Sequence, residues 1–91
     1  MGVTETFCRI LSEITPERLP LAAVTAAKRL VLDGIAVAAA GSREEAPRIL
    51  AEHLRELGGA EQATAINFGF RTSAVLAAYL NGASMHVLDY E

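Results

Sequence analysis

The chain has 91 residues, a formal net charge of −3 and 52% hydrophobic side chains, yet no tryptophan and 5% aromatics, a balance that fits one small all-α domain over residues 1–91. Basic residues are spread along the sequence, as at Arg18, Lys28, Arg29, Arg43, Arg48, Arg55 and Arg71, so nucleic-acid binding gains no support. Cys8 has no second cysteine to pair with, and no basic stretch followed by a long apolar run opens the chain, which excludes an internal disulfide, a thiolate metal site and a secretory signal and leads us to expect a cytoplasmic protein.

Phe7, Ile10, Leu11 and Ile14 recur at i, i+3, i+4 and i+7. This spacing predicts a first amphipathic helix, with Thr4 or Thr6 placed to accept from the free N–H groups at its start. Thr15-Pro16-Glu17-Arg18-Leu19-Pro20 interrupts it, because proline cannot donate a backbone hydrogen bond and restricts the residue before it. Pro20 is expected to open a second helix, roughly Leu21 to Ala40. There Val24, Ala27, Val31, Gly34, Ile35 and Ala38 follow one side, and Leu30 and Val37 another.

The length of that helix raises the question of a membrane span. Lys28, Arg29 and Asp33 lie in its middle, where each would be costly in lipid, so it reads as a buried or interface helix. A helix apolar on most sides must be covered on most sides. A chain this short buries only about three-fifths of the surface its unfolded form exposes, so other segments or a partner subunit, giving a homo-oligomer or a complementary-chain assembly, are expected against it. Gly34 and the alanines would let a neighbouring helix come close.

Gly41-Ser42 is expected to end this helix and cap a third, since Ser42 precedes Glu45 at the capping-box spacing. Pro47 falls in the first turns, and Ile49, Leu50, Leu54 and Leu57 form an apolar stripe until Gly58-Gly59 stops the helix. From Ala60 to Arg71 helical signals fade; Thr64-Ala65-Ile66-Asn67 resembles an extended segment and Gly69 a turn. Thr72-Ser73 caps a fourth helix whose body, Ala74 to Leu80, leads into Asn81-Gly82, expected to act as a C-cap or bend with Gly82 at positive φ. The expected architecture is a bundle of about four helices, with no internal repeat or linker.

Few side chains invite chemistry. His86 precedes Asp89 by three residues, so on a continued helix the two share a face and can interact. Together they supply two metal ligands with no third nearby, so no metal site is expected. Asp89 serves either as a capping or salt-bridged residue or as a working carboxylate, and His86 either as a structural histidine or as one that lines a site. Asp33 is either a buried, paired carboxylate or an exposed one. Cys8 is read as a small core residue, since nothing basic stands where it would activate the thiol. His53 lies among charges on a solvated face, and Gly58-Gly59 lacks the Lys-Ser/Thr pair of a phosphate loop.

The closing segment Ala77-Ala78-Tyr79-Leu80-Asn81-Gly82-Ala83-Ser84-Met85-His86-Val87-Leu88-Asp89-Tyr90-Glu91 resembles the MmgE/PrpD family pattern: an alanine pair, Asn-Gly, then His-x-Leu-Asp, an aromatic residue and acids. Leu32-Asp33-Gly34 through Gly41 is similar to that family's early Asp-x-x-Gly helix. Glu91 stands where the family usually has aspartate. The resemblance spans essentially this whole chain and the start of the family's protein. It implies a helical domain of a lyase that works without metal, iron–sulfur cluster or other cofactor on small carboxylic acids, dehydrating 2-methylcitrate or decarboxylating cis-aconitate. It further implies Asp89 as a catalytic carboxylate and His86 and Asn81 as substrate-binding residues, with basic, histidine and tyrosine partners drawn from much later in the family's sequence. Three readings stay open: a truncated, inactive member; one piece of a split enzyme; or a helical interaction module.

Overall fold

A computed structural model describes residues 2–89. In chain order it contains α1 (Val3–Ser12), a single 3-10 turn (Pro16–Arg18), α2 (Leu21–Gly41), α3 (Glu45–Leu57), β1 (Ala63–Ala65), β2 (Phe70–Thr72) and α4 (Ala74–Val87). The mostly helical class expected from composition is the class observed, with a small hairpin added between α3 and α4.

Both prolines of the first connection act as anticipated. Thr15 and Leu19, each preceding a proline, are extended, and Pro20 occupies the N-cap of α2. The first helix is not capped by Thr4 or Thr6: Gly2 is its N-cap, no side chain caps it, and both threonines lie within the helix. Likewise the Ser42–Glu45 capping box does not form. The chain makes a further turn after α2, so Glu44 becomes the N-cap of α3 without a side-chain bond. Ser42 Oγ instead donates to Ala39 O at 2.6 Å, closing the end of the helix before it. The fourth helix starts as expected, with Ser73 Oγ accepting from Leu76 N at 3.2 Å.

The antiparallel hairpin pairs Ala63 with Thr72, Thr64 with Arg71 and Ala65 with Phe70. Its turn uses left-handed backbone at Asn67 (φ 68°) and Gly69 (φ 77°). Alternation buries Ala65 and Thr72 while Thr64 and Arg71 face outward. Buried Thr72 Oγ1 donates to Gly58 O at 3.1 Å, which ties the hairpin to the end of α3.

The core lies in the second half of the chain. Ala51 and Leu54 of α3, Ala65 of β1 and Leu80 of α4 form its buried centre, with Leu50, Phe68, Phe70 and Leu76 packed around it. The buried stripe of α3 therefore runs through Pro47, Ala51 and Leu54. Ile49 and Leu57, expected on it, are exposed.

Helices α2 and α4 pack most intimately where small residues meet. A Cβ on Gly41 would lie 1.8 Å from the carbonyl oxygen of Ser84 and 3.0 Å from Val87 Cγ1. Gly34, the glycine expected to permit this approach, meets only the Met85 side chain, at 3.8 Å. Only the C-terminal part of α2 is covered; Leu21 and Leu30 are 80% and 72% exposed, and Val31, Leu32 and Ile35 are exposed as well. Asp33 and Cys8 are exposed too, so neither is a core residue. The apolar stripe of α1 is exposed at Phe7, Ile10, Leu11 and Ile14. No described helix is long and apolar enough to cross a membrane.

The crossing yields two expectations. Gly41→Ala forces the helices apart and should cost at least about 2 kcal/mol, an overpacking penalty, read as a lower urea midpoint in far-ultraviolet circular dichroism. Ser84 is 0% exposed and its Oγ has no hydrogen-bond partner among the described residues. Ser84→Ala should therefore leave stability unchanged or raise it by up to about 1 kcal/mol. A large loss of stability in the alanine variant would mean that the hydroxyl has a partner after all.

Candidate functional site

The anticipated site residues cluster at the C-terminal half of α4, and the course of the helix decides their roles. Asn81-Gly82 neither ends nor bends it: α4 continues to Val87, and Gly82 is not at positive φ. The reason lies in the Asn81 amide. Its Oδ1 accepts from Ile66 N at 2.9 Å, and its Nδ2 donates to Thr64 O at 3.0 Å. The side chain thus pairs with the backbone of β1 as a neighbouring strand would, and a residue often found at helix ends is accommodated inside one. Continuing the helix also brings Ser84 onto Gly41.

The helix stops at Val87 with Leu88 as C-cap, and Asp89 takes left-handed backbone at φ 56°, its N–H donating to His86 O at 2.9 Å. Aspartate tolerates this conformation better than most residues do. Asp89 therefore stands just beyond the helix and not on a shared helical face with His86, which belongs to its last turn. Both are exposed. Tyr90 and Glu91, the end of the motif, lie outside the described residues. An exposed carboxylate can exchange protons with a bound acid, but such chemistry usually proceeds under cover that excludes water. Among the described residues, no group of three His, Cys, Asp or Glu side chains is arranged to hold a metal ion.

One concavity, away from these residues, was not foreseen. Arg43, Arg48 and Arg55 are dispersed in sequence, yet all three line one basin of about 370 Å³, together with Ser42, Ala51, Glu52, Asn67 and Phe68. The one available signal was spacing: Arg48, Glu52 and Arg55 follow one another at i, i+4 and i+7 on α3. What brings Arg43 beside them is the extra turn after α2, and what closes the basin is the hairpin turn, where Asn67 Nδ2 donates to Ser42 Oγ at 2.8 Å. Arg55 is fixed by donating from Nη2 to Phe68 O at 2.8 Å and lies 4.8 Å over the Phe70 ring.

The family model described as the MmgE/PrpD N-terminal domain matches residues 5–91. No curated protein and no solved structure matches the chain.

The Asn81 bracket is open to test. Asn81→Ala leaves the half-buried Ile66 N–H and the Thr64 carbonyl without these partners and should cost about 1–3 kcal/mol. Hydrogen exchange at the Ile66 amide should accelerate while amides in the middle of α2 are unaffected. Unchanged protection at Ile66 would show that the bracket contributes nothing.

Proposed function

Since the chain belongs to the MmgE/PrpD family, we propose that it forms one wall of the active site of a metal-independent lyase acting on small di- or tricarboxylic acids. Asp89 is its working carboxylate. In a dehydration, a base takes a proton from the carbon beside a carboxylate as hydroxide leaves with a second proton, as water, from the neighbouring carbon. In a decarboxylation, an acid returns a proton to the carbon that loses carbon dioxide. Either step needs a group that holds or releases a proton within hydrogen-bond reach of that carbon. The observation carrying this reading is the position of Asp89, directly after the helix that bears the family motif, exposed and turned out of the helical path. His86, in the last turn of that helix, orients the acid. Asn81 supports the same region from inside by locking α4 to the hairpin.

The bare face of α1 and α2 separately calls for protein to cover it. The Cα radius of gyration is 16.7 Å, against about 12 Å for a compact domain of this length. The accessible surface is 6862 Å², where a compact 9.7 kDa monomer would expose roughly 5,100 Å². The excess, roughly 1,700 Å², is about twice what one partner contributes to a standard protein interface. Much of the exposed surface on α1 and α2 is apolar, including Phe7, Ile10, Leu11, Leu30, Val31 and Leu32. In isolation, a second copy of the chain is the partner at hand.

Two outcomes follow. The isolated chain should associate at micromolar concentration, seen as a mass above 9.7 kDa in light scattering; a monomer throughout that range would refute the covering of this face. The isolated chain should turn over neither 2-methylcitrate nor cis-aconitate in an ultraviolet assay for the unsaturated product. In a polypeptide joining this segment to the remainder of an MmgE/PrpD enzyme, Asp89→Asn should lower kcat by about 10²–10⁴-fold. Full activity in that variant would remove Asp89 from the reaction.

A further inference from the structure

We propose that the arginine basin between α3, the α2–α3 connection and the hairpin turn is a binding site for a small polyvalent oxyanion, a phosphate or a polycarboxylate. Three guanidinium groups, those of Arg43, Arg48 and Arg55, face one concavity against the single carboxylate of Glu52. The chain as a whole carries a charge of −3, so three arginines against one carboxylate is a local reversal of its overall balance. Its volume of about 370 Å³ is that of a small-molecule site, which starts near about 300 Å³.

The site has a fixed part and an open part. Ser42 and Ala51 on its wall are buried, and the Ser42 hydroxyl is held between Ala39 O and Asn67 Nδ2. Arg55 is positioned by Phe68 O and the Phe70 ring. The side chains of Arg43 and Arg48, by contrast, have no hydrogen-bond or ion-pair partner among the described residues. Arg48 and Arg55 lie two helical turns apart, about 10 Å along α3, so an anion between them meets one anchored guanidinium and two whose donors are unspent. A guanidinium presents five donors in a planar fork that matches carboxylate and phosphate oxygens. Glu52 and Glu45 border Arg48 on the outer side of the helix, and neither pairs with it. Their carboxylates temper the basin's charge and oppose an incoming anion.

The test uses the intact chain in a low-salt buffer free of sulfate and phosphate, titrated with inorganic phosphate and, separately, with citrate. Calorimetry gives affinity, and amide shifts locate the site. The expected result is saturable binding of at least one anion, with shifts confined to residues 42–55, 67 and 68 and with weakening as sodium chloride is raised. The preferred probe tells phosphate from polycarboxylate. Arg48→Gln should weaken binding about tenfold, the loss of one charge-assisted contact, and Arg43→Gln should act in the same direction. Both side chains are exposed, so unchanged circular dichroism is expected for each variant. Glu52→Gln should tighten binding. Absence of saturable binding with both anions, or equal affinity in the wild type and both arginine variants, would overturn the proposal.

Discussion

The contact between Gly41 and Ser84 determines where the other elements can lie. With no Cβ on one side and a backbone carbonyl on the other, two helices meet at backbone distance, and the C-terminal end of α2 is pressed against the last turns of α4. That closeness ends α2 beside α4, so the connection to α3 must leave from this corner. The same contact requires α4 to run well past Asn81, because Ser84 and Val87 are the residues that meet Gly41. The exposed start of α2 and the whole of α1 follow from it as well: one end of the long helix is used by the crossing, and the other projects beyond the small core. The unpartnered hydroxyl of Ser84 is a local cost of fitting a small side chain at this point.

Much of the fold was legible in the sequence because local chemistry decides it. The proline-bounded break after α1, the start of α2 at Pro20, Ser73 at the head of α4 and the Gly69 turn all depend on residues within a few positions of one another. Expectations that failed involve partners distant in sequence. Asn81-Gly82 looks like a helix end by local preference, but Thr64 and Ile66 supply hydrogen bonds that local preference does not include. Ser42 has the spacing of a capping box, but its hydroxyl turns back to Ala39 and receives Asn67, a residue on the hairpin. On α3, periodicity marked Ile49, Leu50, Leu54 and Leu57. Leu50 and Leu54 do pack, but the buried face is centred on Pro47 and Ala51, small enough to admit the hairpin and α4, and leaves Ile49 and Leu57 exposed.

The functional surfaces divide in the same manner. The segment around Asp89 is recognisable as a contiguous motif, and the family match over residues 5–91 agrees with it. Its geometry was not, since whether His86 and Asp89 share a helical face depends on where α4 stops. The arginine basin has no contiguous motif at all. It exists because a loop, a helix face and a hairpin turn are folded together, and the reading of the basic residues as dispersed holds along the chain and fails in space at Arg43, Arg48 and Arg55.

The Asn81 bracket also couples the two halves of this architecture mechanically. One side chain joins α4 to the backbone of β1, the hairpin turn that follows carries Asn67 and Phe68, and these two hold Ser42 and Arg55. A small rotation of α4 would therefore pass through the hairpin to the basin wall. Hinge motion within this half is thereby suppressed. Helix α4, the hairpin and α3 behave as one cooperative unit that opens together, while α1, outside that chain of contacts, can fray without disturbing it.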